Sequence, residues 1–292
     1  MVVASVIGTG RMGSWFAAFL KKNGYEVNVY DKNERAARQL SARQRLRLAK
    51  TLDRAKEAQL IVLATPTRVT KQLLPVISAN VRQNASIVEI SSVKTPIKNT
   101  IIRLHKNGVP IVSIHPMFGP GAKTIVGRVV LTSVTPPNNR VAQEFLSLLR
   151  RKGAKLVPCP LKDHDRLASI ILTLPHFINM IFVNALMASS VNPNRMRALA
   201  GTTFKLQLLI AEAIYQEDKE NELSILLDNE YSLGTLKKLT REAASLIDAV
   251  KKRRTRHIIL TLAKGRKFVR KEKDFSTSYR RFNDAVEVSS RR

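Results

Sequence analysis

Serine, lysine and histidine side chains follow two apolar, strand-like runs, at positions where they could move a proton. The run Val109–Ile114 leads into His115, and the loop Pro116-Met117-Phe118-Gly119-Pro120 comes directly after it. Proline cannot continue a central strand, so His115 is predicted where a buried strand stops. The run Ser86–Ile90 ends in Ser91-Ser92-Val93-Lys94. In an open parallel sheet such strand ends line the ligand crevice, where a neutral imidazole can accept a proton near pH 7.

A glycine-rich turn near the start of the chain predicts a dinucleotide site. The G-x-G-x-x-G pattern follows an apolar strand directly and opens a helix, which is the context that this fingerprint requires. Gly8 permits the tight turn, Gly10 lets a pyrophosphate approach the backbone, and Gly13 lets the helix pack close to the strand. The N–H groups of the first helical turn are then available to phosphates. The predicted contacts are Gly8, Gly10, Arg11, Met12 and Gly13.

The next strand end indicates which dinucleotide is bound. Asp31 ends that strand, where its carboxylate can accept hydrogen bonds from ribose hydroxyls and would repel a 2′-phosphate. This favours NAD over NADP. Arg35, with Lys32 beside it, leaves NADP open, because an inward-turned guanidinium could hold a 2′-phosphate. A second loop, containing Thr65 and Pro66, follows the third main strand and is predicted to line the cofactor, although a simple turn before a helix explains it nearly as well.

Strand-like and helix-like segments alternate through the first half of the chain, which predicts a doubly wound α/β parallel (Rossmann) sheet. The predicted strands are 2–7, 26–30, 60–64, 86–90, 110–114, 129–132 and 155–157, and the predicted helices are 11–22, 67–80, 96–106 and 139–152. From residue 163 the pattern is helical. We therefore expect a dinucleotide-binding domain over 1–158, an all-α dimerisation domain over 159–275, and a basic tail over 276–292 whose polar composition favours disorder.

Composition and charge exclude several classes of protein. The single cysteine, Cys159, excludes an intrachain disulfide and a multi-cysteine metal site, and no metal is expected. No membrane span or signal peptide is evident, so a cytoplasmic protein is expected. The net charge of +28 is uneven: residues 159–250 carry 9 Lys and Arg against 11 Asp and Glu, and both flanks are basic. Nucleic-acid binding is disfavoured because aromatic residues do not alternate with the basic runs.

Taken together, these motifs resemble the prephenate dehydrogenase family. The resemblance rests on the glycine fingerprint, Ser92-Val93-Lys94, the His115–Pro120 loop, Asp163-His164-Asp165 and the helical Pro175-His176. It covers most of residues 1–230, and the arogenate dehydrogenases of the same superfamily share most of these features. The family's reaction is oxidative decarboxylation of prephenate to 4-hydroxyphenylpyruvate, on the route to tyrosine. The resemblance therefore implies an NAD-dependent enzyme, and the long apolar helices imply a homodimer.

The resemblance also implies roles for individual residues. His115 matches the catalytic histidine that takes the proton of the ring hydroxyl as hydride leaves, and Ser92 matches the serine that supports this contact. His176 matches a helical histidine facing the substrate, although a core histidine is the alternative. His164 is expected to bracket a helix start with its acidic neighbours. Lys94 is left open between a surface cation and a group near the cofactor.

The expected substrate-binding arginine is missing from the corresponding helical stretch. Lys205 is predicted to supply the charge there, without the bidentate fork of arginine, and Gln207 is predicted to be a polar contact. Arg195 and Arg197 are alternatives. Arogenate dehydrogenase, or another NAD(P)-dependent dehydrogenase or imine reductase of this architecture, is the main alternative function. An NAD-sensing or nucleic-acid-binding regulator is a minor one.

Overall fold

An eight-stranded sheet lies at the centre of the first half of the chain, in a computed structural model that describes residues 2–79, 81–82 and 84–290. The strands are β1 (Val3–Ile7), β2 (Glu26–Tyr30), β3 (Arg47–Leu48), β4 (Leu60–Leu63), β5 (Ser86–Glu89), β6 (Ile111–Pro116), β7 (Val129–Val134) and β8 (Lys155–Pro158). Their order is β3-β2-β1-β4-β5-β6-β7-β8. The predicted doubly wound Rossmann sheet is confirmed.

Two features of the sheet differ from the prediction. The two-residue strand β3 was not predicted, because its pair Arg47 and Leu48 carries no alternating pattern. The sheet is also not wholly parallel, since β7 runs antiparallel to β6 and β8 pairs in parallel with β7. His115 consequently lies inside β6, which ends at Pro116, and is paired opposite Leu131.

Helices cover both faces of this sheet. They are α1 (Arg11–Lys22), α2 (Glu34–Gln44), α3 (Leu52–Lys56), α4 (Thr67–Ser78), α5 (Lys98–Lys106), α6 (Arg140–Arg151) and α7 (Leu161–Ala168). Phe16 of α1 and Phe145 of α6 belong to one hydrophobic core, while Leu74 of α4 and Ile101 of α5 belong to the other. The helix predicted over 67–80 ends at Ser78, and position 80 lies outside the described residues. The short α3 and the polar α2 were not predicted.

The chain divides into two compact units. The first comprises Met1–Ala168 and Leu223–Glu230, and the second comprises Ser169–Glu222 and Tyr231–Arg292. The first unit extends ten residues beyond the predicted boundary at 158, because α7 belongs to it. It also includes the later segment Leu223–Glu230, whose composition does not differ from that of the helices around it.

The second half of the chain is helical among its described residues, as expected. After α7 come a π-helical turn (Ser169–Thr173), α8 (Leu174–Ala188), α9 (Pro193–Leu199), α10 (Thr202–Tyr215), α11 (Lys219–Leu223), a second π-helical turn (Ser224–Asp228), α12 (Ser232–Lys251), α13 (Thr255–Val269), a 3₁₀ turn (Phe275–Thr277) and α14 (Ser278–Ser290). A turn at Arg253 separates α12 from α13.

The break between these two helices lies within the basic run Lys251–Arg254. The φ of Arg253 is 50°, a left-handed value that ends the preceding helix, so the chain turns within this run before α13 begins at Thr255. The predicted disordered tail is likewise helical, as α14, up to Ser290. Its apolar positions recur at helical spacing among the polar residues, a pattern that the overall composition does not reveal.

The apolar helices of the second unit are less buried than their sequences suggest. Ile178 and Ile181 on α8 and Ile210 on α10 are exposed, although both helices are rich in apolar residues. By length and composition alone, one helical run among the described residues, Leu161–Ala188, could cross a membrane, with a mean hydropathy of 1.8. Core helices of soluble proteins have the same composition. Polar side chains of this run also form hydrogen bonds within the second unit, as Thr173 does with Ser232.

Candidate active site

His115 forms a buried contact with a second histidine. Its Nδ1 atom lies 3.0 Å from Nε2 of His164, and Nδ1 of His164 lies 2.7 Å from Oδ1 of Asp165. His115 is 3% exposed and His164 is fully buried. The strand β6 supplies His115 and the first turns of α7 supply the other two residues, so three side chains form one chain of hydrogen bonds. The sequence predicted that His164 brackets a helix start, but His164 also forms a hydrogen bond with His115.

Asp165 is held by several hydrogen-bond donors. The backbone N–H of Lys94 donates to both carboxylate oxygens, at 2.9 and 3.0 Å, and Thr95 donates to Oδ2 through its backbone and its hydroxyl. The side chain of Asn229 donates to the backbone carbonyl of Asp165. These contacts fix the carboxylate against His164 and leave it little freedom to rotate.

A fully buried ion pair lies next to the histidines. Nζ of Lys94 donates to Oε1 of Glu89 at 2.5 Å and to the carbonyl of Ile114 at 2.8 Å. The hydroxyl of Ser113 and the backbone of Ser91 also donate to the Glu89 carboxylate. Lys94 is thus neither a surface cation nor a free cationic ligand. It joins the end of β5 to the residue that precedes His115.

This environment controls the protonation of the histidines. Burial, the neighbouring His164 and then Lys94 hold the pKa of His115 well below its usual 6.5. Burial also lowers the pKa of His164, against the opposing effect of its hydrogen bond to Asp165. For Asp165, burial favours the neutral acid, but hydrogen bonds from His164, Thr95 and the Lys94 backbone prevail and lower its pKa to about 2. Near pH 7 His115 is therefore neutral, and it lies beside His164, which is hydrogen-bonded to the Asp165 carboxylate.

The glycine turn has the geometry that a pyrophosphate requires. Gly8 has a φ of 97°, and a Cβ added to it would lie 2.5 Å from the carbonyl oxygen of Ala64. A Cβ at Gly13 would lie 1.9 Å from the carbonyl oxygen of Gly8, whereas a Cβ at Gly10 would meet no atom within 4 Å. Gly10 is also the N-cap of α1 and has no side chain to cap the first N–H groups. These residues fit a dinucleotide whose phosphates lie at the helix N-terminus.

The other predicted cofactor residues lie around the same edge of the sheet. Asp31 Oδ2 accepts hydrogen bonds from the backbone and hydroxyl of Thr9, at 2.7 and 2.9 Å, so Asp31 also holds the glycine turn in place. Thr65 is hydrogen-bonded to Thr70, and Pro66 is the N-cap of α4. Arg11 and Met12 occupy the first turn of α1, where Arg11 is exposed and Met12 is half-buried.

The loop after His115 is joined to the glycine-turn helix. Trp15 of α1 meets Phe118 edge-on with ring centroids 4.9 Å apart, and its indole N–H donates to the carbonyl of Ala122 at 2.8 Å. The aromatic contact and the hydrogen bond tie the Pro116–Pro120 loop to the helix that follows Gly10. The loop after His115 is thus held in place by α1.

Three residues predicted to contact substrate belong to the second unit. His176 on α8 is bonded through Nδ1 to the Glu222 carboxylate at 2.9 Å. Gln207 on α10 donates to Asn179 at 2.7 Å. Lys205 is exposed. The alternative cation Arg197 forms an ion pair with Glu212.

The structure brings His115 together with residues that the sequence interpretation placed outside the catalytic set. His164, Asp165 and Glu89 were not predicted as site residues, and Ser92 lies partly exposed beyond the end of β5. One available signal was an acidic residue, Glu89, at the end of an otherwise apolar strand. Another was the Asp-His-Asp sequence at the start of α7. No group of three or more histidine, cysteine or acidic side chains suited to a metal ion occurs in the described part of the chain.

Comparison with known protein families accounts for both halves of the chain. Residues 16–157 match the prephenate dehydrogenase nucleotide-binding domain, and residues 160–264 match the prephenate dehydrogenase dimerization domain. The chain belongs to the prephenate dehydrogenase family. These matches confirm the resemblance that the motifs indicated. The family consists of dehydrogenases, and the relatives similar to this chain include proteins named for prephenate and for arogenate.

Individual relatives within this family are distant. The chain is 25% identical over 215 residues to the "Probable arogenate/prephenate dehydrogenase" of Methanocaldococcus jannaschii, covering 72% of this chain and 48% of that protein. It is 25% identical over 249 residues to the T-protein of Enterobacter agglomerans, covering 84% of this chain and 62% of that protein. The chain thus spans about half to three fifths of the length of these curated relatives.

Solved structures of the family have the same fold. The prephenate dehydrogenase of A. aeolicus, in complex with hydroxyphenyl propionate and NAD+, has a TM-score of 0.73 at 18% identity, covering 93% of this chain and 98% of its own. The arogenate dehydrogenase of Synechocystis has a TM-score of 0.67 at 18% identity, covering 91% of this chain and 98% of its own. At these identities the likeness establishes the fold of the prephenate dehydrogenase family for this chain.

Proposed function

We propose that this protein catalyses the NAD-dependent oxidative decarboxylation of prephenate to 4-hydroxyphenylpyruvate. The observation that carries the proposal is a buried His115, neutral near pH 7, at the same sheet edge as the glycine turn. The strands β1 and β6 are parallel and three steps apart in the sheet, which is about 14 Å at ordinary strand spacing. A dinucleotide with its phosphates at the Gly10 turn can extend along this edge towards His115.

The proposed chemistry needs one proton acceptor and a well-oriented substrate. His115 accepts the proton of the ring hydroxyl at Nε2, and the O–H electron pair forms the carbonyl as hydride leaves the same carbon. The nicotinamide cofactor, when bound, supplies the hydride acceptor. Loss of CO₂ is driven by aromatisation of the ring, so the protein has only to orient the substrate and polarise its hydroxyl. We propose Ser92 as the group that supports the hydroxyl contact.

The cofactor is proposed to be NAD. The proposed contacts are those of the glycine turn, with Asp31 on the ribose and Thr65 and Pro66 alongside. The nucleotide-binding domain match and a structural neighbour in complex with NAD+ support this assignment. Titration with NADH and with NADPH, followed by fluorescence, tests it: tighter binding of NADPH would contradict the proposal.

The remaining substrate contacts are proposed on the second unit. His176 is proposed to face the substrate, with Lys205 supplying positive charge for a carboxylate and Gln207 acting as a polar contact. Lys205 is exposed, whereas Arg197 is already paired with Glu212, which favours Lys205 of these two cations. A Lys205→Ala variant is expected to raise the KM for substrate with little change in kcat.

A homodimer in the cytoplasm is the proposed state of the protein. The match to a dimerization domain supports the dimer, as do the exposed apolar side chains of α8 and α10, including Ile178, Ile181 and Ile210. Sedimentation equilibrium of the purified protein tests this. A monomer at micromolar concentration would contradict it.

One observation favours arogenate as a second candidate substrate. The carboxylate of Glu222 is hydrogen-bonded to His176, the residue proposed to face the substrate. Arogenate carries an ammonium group where prephenate carries a ketone, so an acid at this position would favour arogenate. The ratio of kcat/KM on prephenate to that on arogenate decides between the two substrates.

The direct test is the production of reduced cofactor. Wild-type protein mixed with prephenate and NAD should raise the absorbance of NADH, and His115→Asn should lose about 100-fold or more of turnover while binding NAD normally. His105→Gln, on an exposed histidine of α5, is the matched control. Absence of turnover by the wild type on both prephenate and arogenate would refute the proposed function.

A further inference from the structure

The tautomer of His115 follows from the residues behind it. Asp165 is ionised, because the backbone N–H groups of Lys94 and Thr95 and the hydroxyl of Thr95 all donate hydrogen bonds to its carboxylate. An ionised carboxylate only accepts hydrogen bonds, so Nδ1 of His164 carries the proton in the 2.7 Å contact between them. Nε2 of neutral His164 is then an acceptor. The 3.0 Å contact requires Nδ1 of His115 to be the donor.

We propose that Asp165 and His164 are positioning residues that hold His115 with its proton on Nδ1 and its lone pair on Nε2. This rests on the proposed function, since His115 acts there as the proton acceptor. The role of Asp165 resembles that of the aspartate in a Ser-His-Asp triad, which sets the tautomer and orientation of its histidine without becoming protonated. Here a second imidazole lies between the carboxylate and the base.

The same chain of hydrogen bonds stabilises the charge that develops during turnover. When the substrate hydroxyl gives its proton to Nε2, His115 becomes an imidazolium whose Nδ1–H still donates to His164. His164 remains neutral and is polarised by the Asp165 carboxylate behind it. The ammonium of Lys94, which is paired with Glu89, opposes a positive charge on His115, whereas the carboxylate of Asp165 favours it. Asp165 therefore supplies the compensating negative charge.

An Asp165→Asn variant should reverse the tautomer. Oδ2 of Asp165 accepts from two backbone N–H groups and the Thr95 hydroxyl, so the amide oxygen of asparagine takes that position. Its NH₂ group then faces His164 and donates to Nδ1. His164 must carry its proton on Nε2, donate it to Nδ1 of His115, and leave His115 with a proton on Nε2. The substrate hydroxyl would then meet a donor instead of an acceptor.

The experiment combines ¹⁵N NMR of the histidine rings with steady-state kinetics. The chain has five histidines, so the His115 signals are assigned by their absence in His115→Asn. In the wild type at pH 7.5, Nδ1 of His115 should be protonated and Nε2 unprotonated. In Asp165→Asn the two should exchange, and kcat should fall about 100-fold or more while the KM for prephenate changes less than threefold.

Asp163→Asn provides the matched control. It is the same substitution two residues earlier on α7, at a partly exposed side chain that pairs with Arg166, and it should keep wild-type kcat and the wild-type tautomer. Thermal unfolding and NADH binding of Asp165→Asn verify that it folds. Should that variant not fold, the wild-type spectrum still decides, because it needs no substitution at Asp165.

Two results would overturn the positioning role. One is a wild-type His115 with its proton on Nε2. The other is a folded Asp165→Asn protein with wild-type kcat. Failure of the proposed function has a different signature: wild-type protein that oxidises neither prephenate nor arogenate, whatever tautomer the spectrum shows.

Discussion

The ammonium group of Lys94 lies 2.5 Å from the carboxylate of Glu89, and both side chains are completely shielded from solvent. The same ammonium donates to the carbonyl of Ile114, directly before His115. The backbone N–H of Lys94 in turn donates to Asp165. One lysine thus connects the end of β5, the end of β6 and the carboxylate behind the paired histidines.

We expect either single substitution in this ion pair to destabilise the fold strongly. Lys94→Met leaves a buried carboxylate without its cation, and Glu89→Gln leaves a buried ammonium without its anion. Removing one partner of a buried pair typically costs about 3–5 kcal/mol. Urea denaturation measures the free energy of unfolding. The double variant Lys94→Met/Glu89→Gln should lose less than the sum of the two single losses.

Lys98→Met is the control for this prediction. Lys98 pairs with Glu230 at 3.9 Å on a partly exposed surface, so its loss should cost less than about 1 kcal/mol. Equal losses in the free energy of unfolding for Lys94→Met and Lys98→Met would show that the buried pair stabilises the fold no more than the surface pair.

The acid limb of the pH profile should lie below pH 6.5. Burial, His164 and Lys94 hold the pKa of the free-enzyme His115 well below 6.5, so His115 remains an available base as the pH falls through that value. The charged and titratable groups around it are His164, Lys94 and Asp165, with Glu89 behind Lys94. The pH dependence of kcat/KM reports the free enzyme and is the measurement required. Activity that falls with a midpoint at or above pH 6.5 would contradict this account.

Acid should destabilise the folded protein, starting near pH 6.5. The pKa values of His115 and His164 are lower in the folded state than in the unfolded chain, so the unfolded chain binds more protons below pH 6.5. Stability is therefore full above that value and decreases as the pH falls towards the folded values, by up to about 1.4 kcal/mol per pH unit for each histidine. Asp165, with a pKa of about 2 against the usual 3.8, adds a further loss below about pH 4.

Urea denaturation between pH 7.5 and 4.5 measures this slope. His115→Asn should make it shallower, whereas His105→Gln, at an exposed position of α5, should leave it unchanged. A free energy of unfolding that stays constant from pH 6.5 to 5 would argue against the burial of two neutral histidines.

Alanine substitutions at two glycines should separate folding from cofactor binding. A Cβ at Gly13 would lie 1.9 Å from the backbone oxygen of Gly8, so Gly13→Ala should lower the thermal midpoint by several degrees. A Cβ at Gly10 meets no protein atom within 4 Å, so Gly10→Ala should fold normally. It should nevertheless weaken NADH binding about 10-fold or more, because the methyl group occupies the space of the pyrophosphate. Normal NADH affinity in Gly10→Ala would place the phosphates elsewhere.

Local pattern was sufficient to predict the framework of the sheet. The buried strands β1, β4, β5 and β6 are short apolar runs bounded by turns, and the glycine spacing has a single steric explanation at Gly8 and Gly13. The reversal of β7 could not be read from its residues, because an apolar strand has the same pattern in either direction. The helix at 278–290 was not predicted, because its polar composition is typical of a disordered tail even though its apolar positions recur at helical spacing.

The sequence by itself determined that His115 lies close to the end of a buried strand and that Gly8, Gly10 and Gly13 open a helix, because both depend on neighbours along the chain. Only the tertiary structure decided which side chains meet His115. His164 is 49 residues away and Asp165 is 71 residues from Lys94, whose backbone it binds. Such partners are selected by the packing of α7 against the strand ends, and no local spacing encodes that contact. That packing makes His115 a neutral base and joins it through His164 to the carboxylate of Asp165.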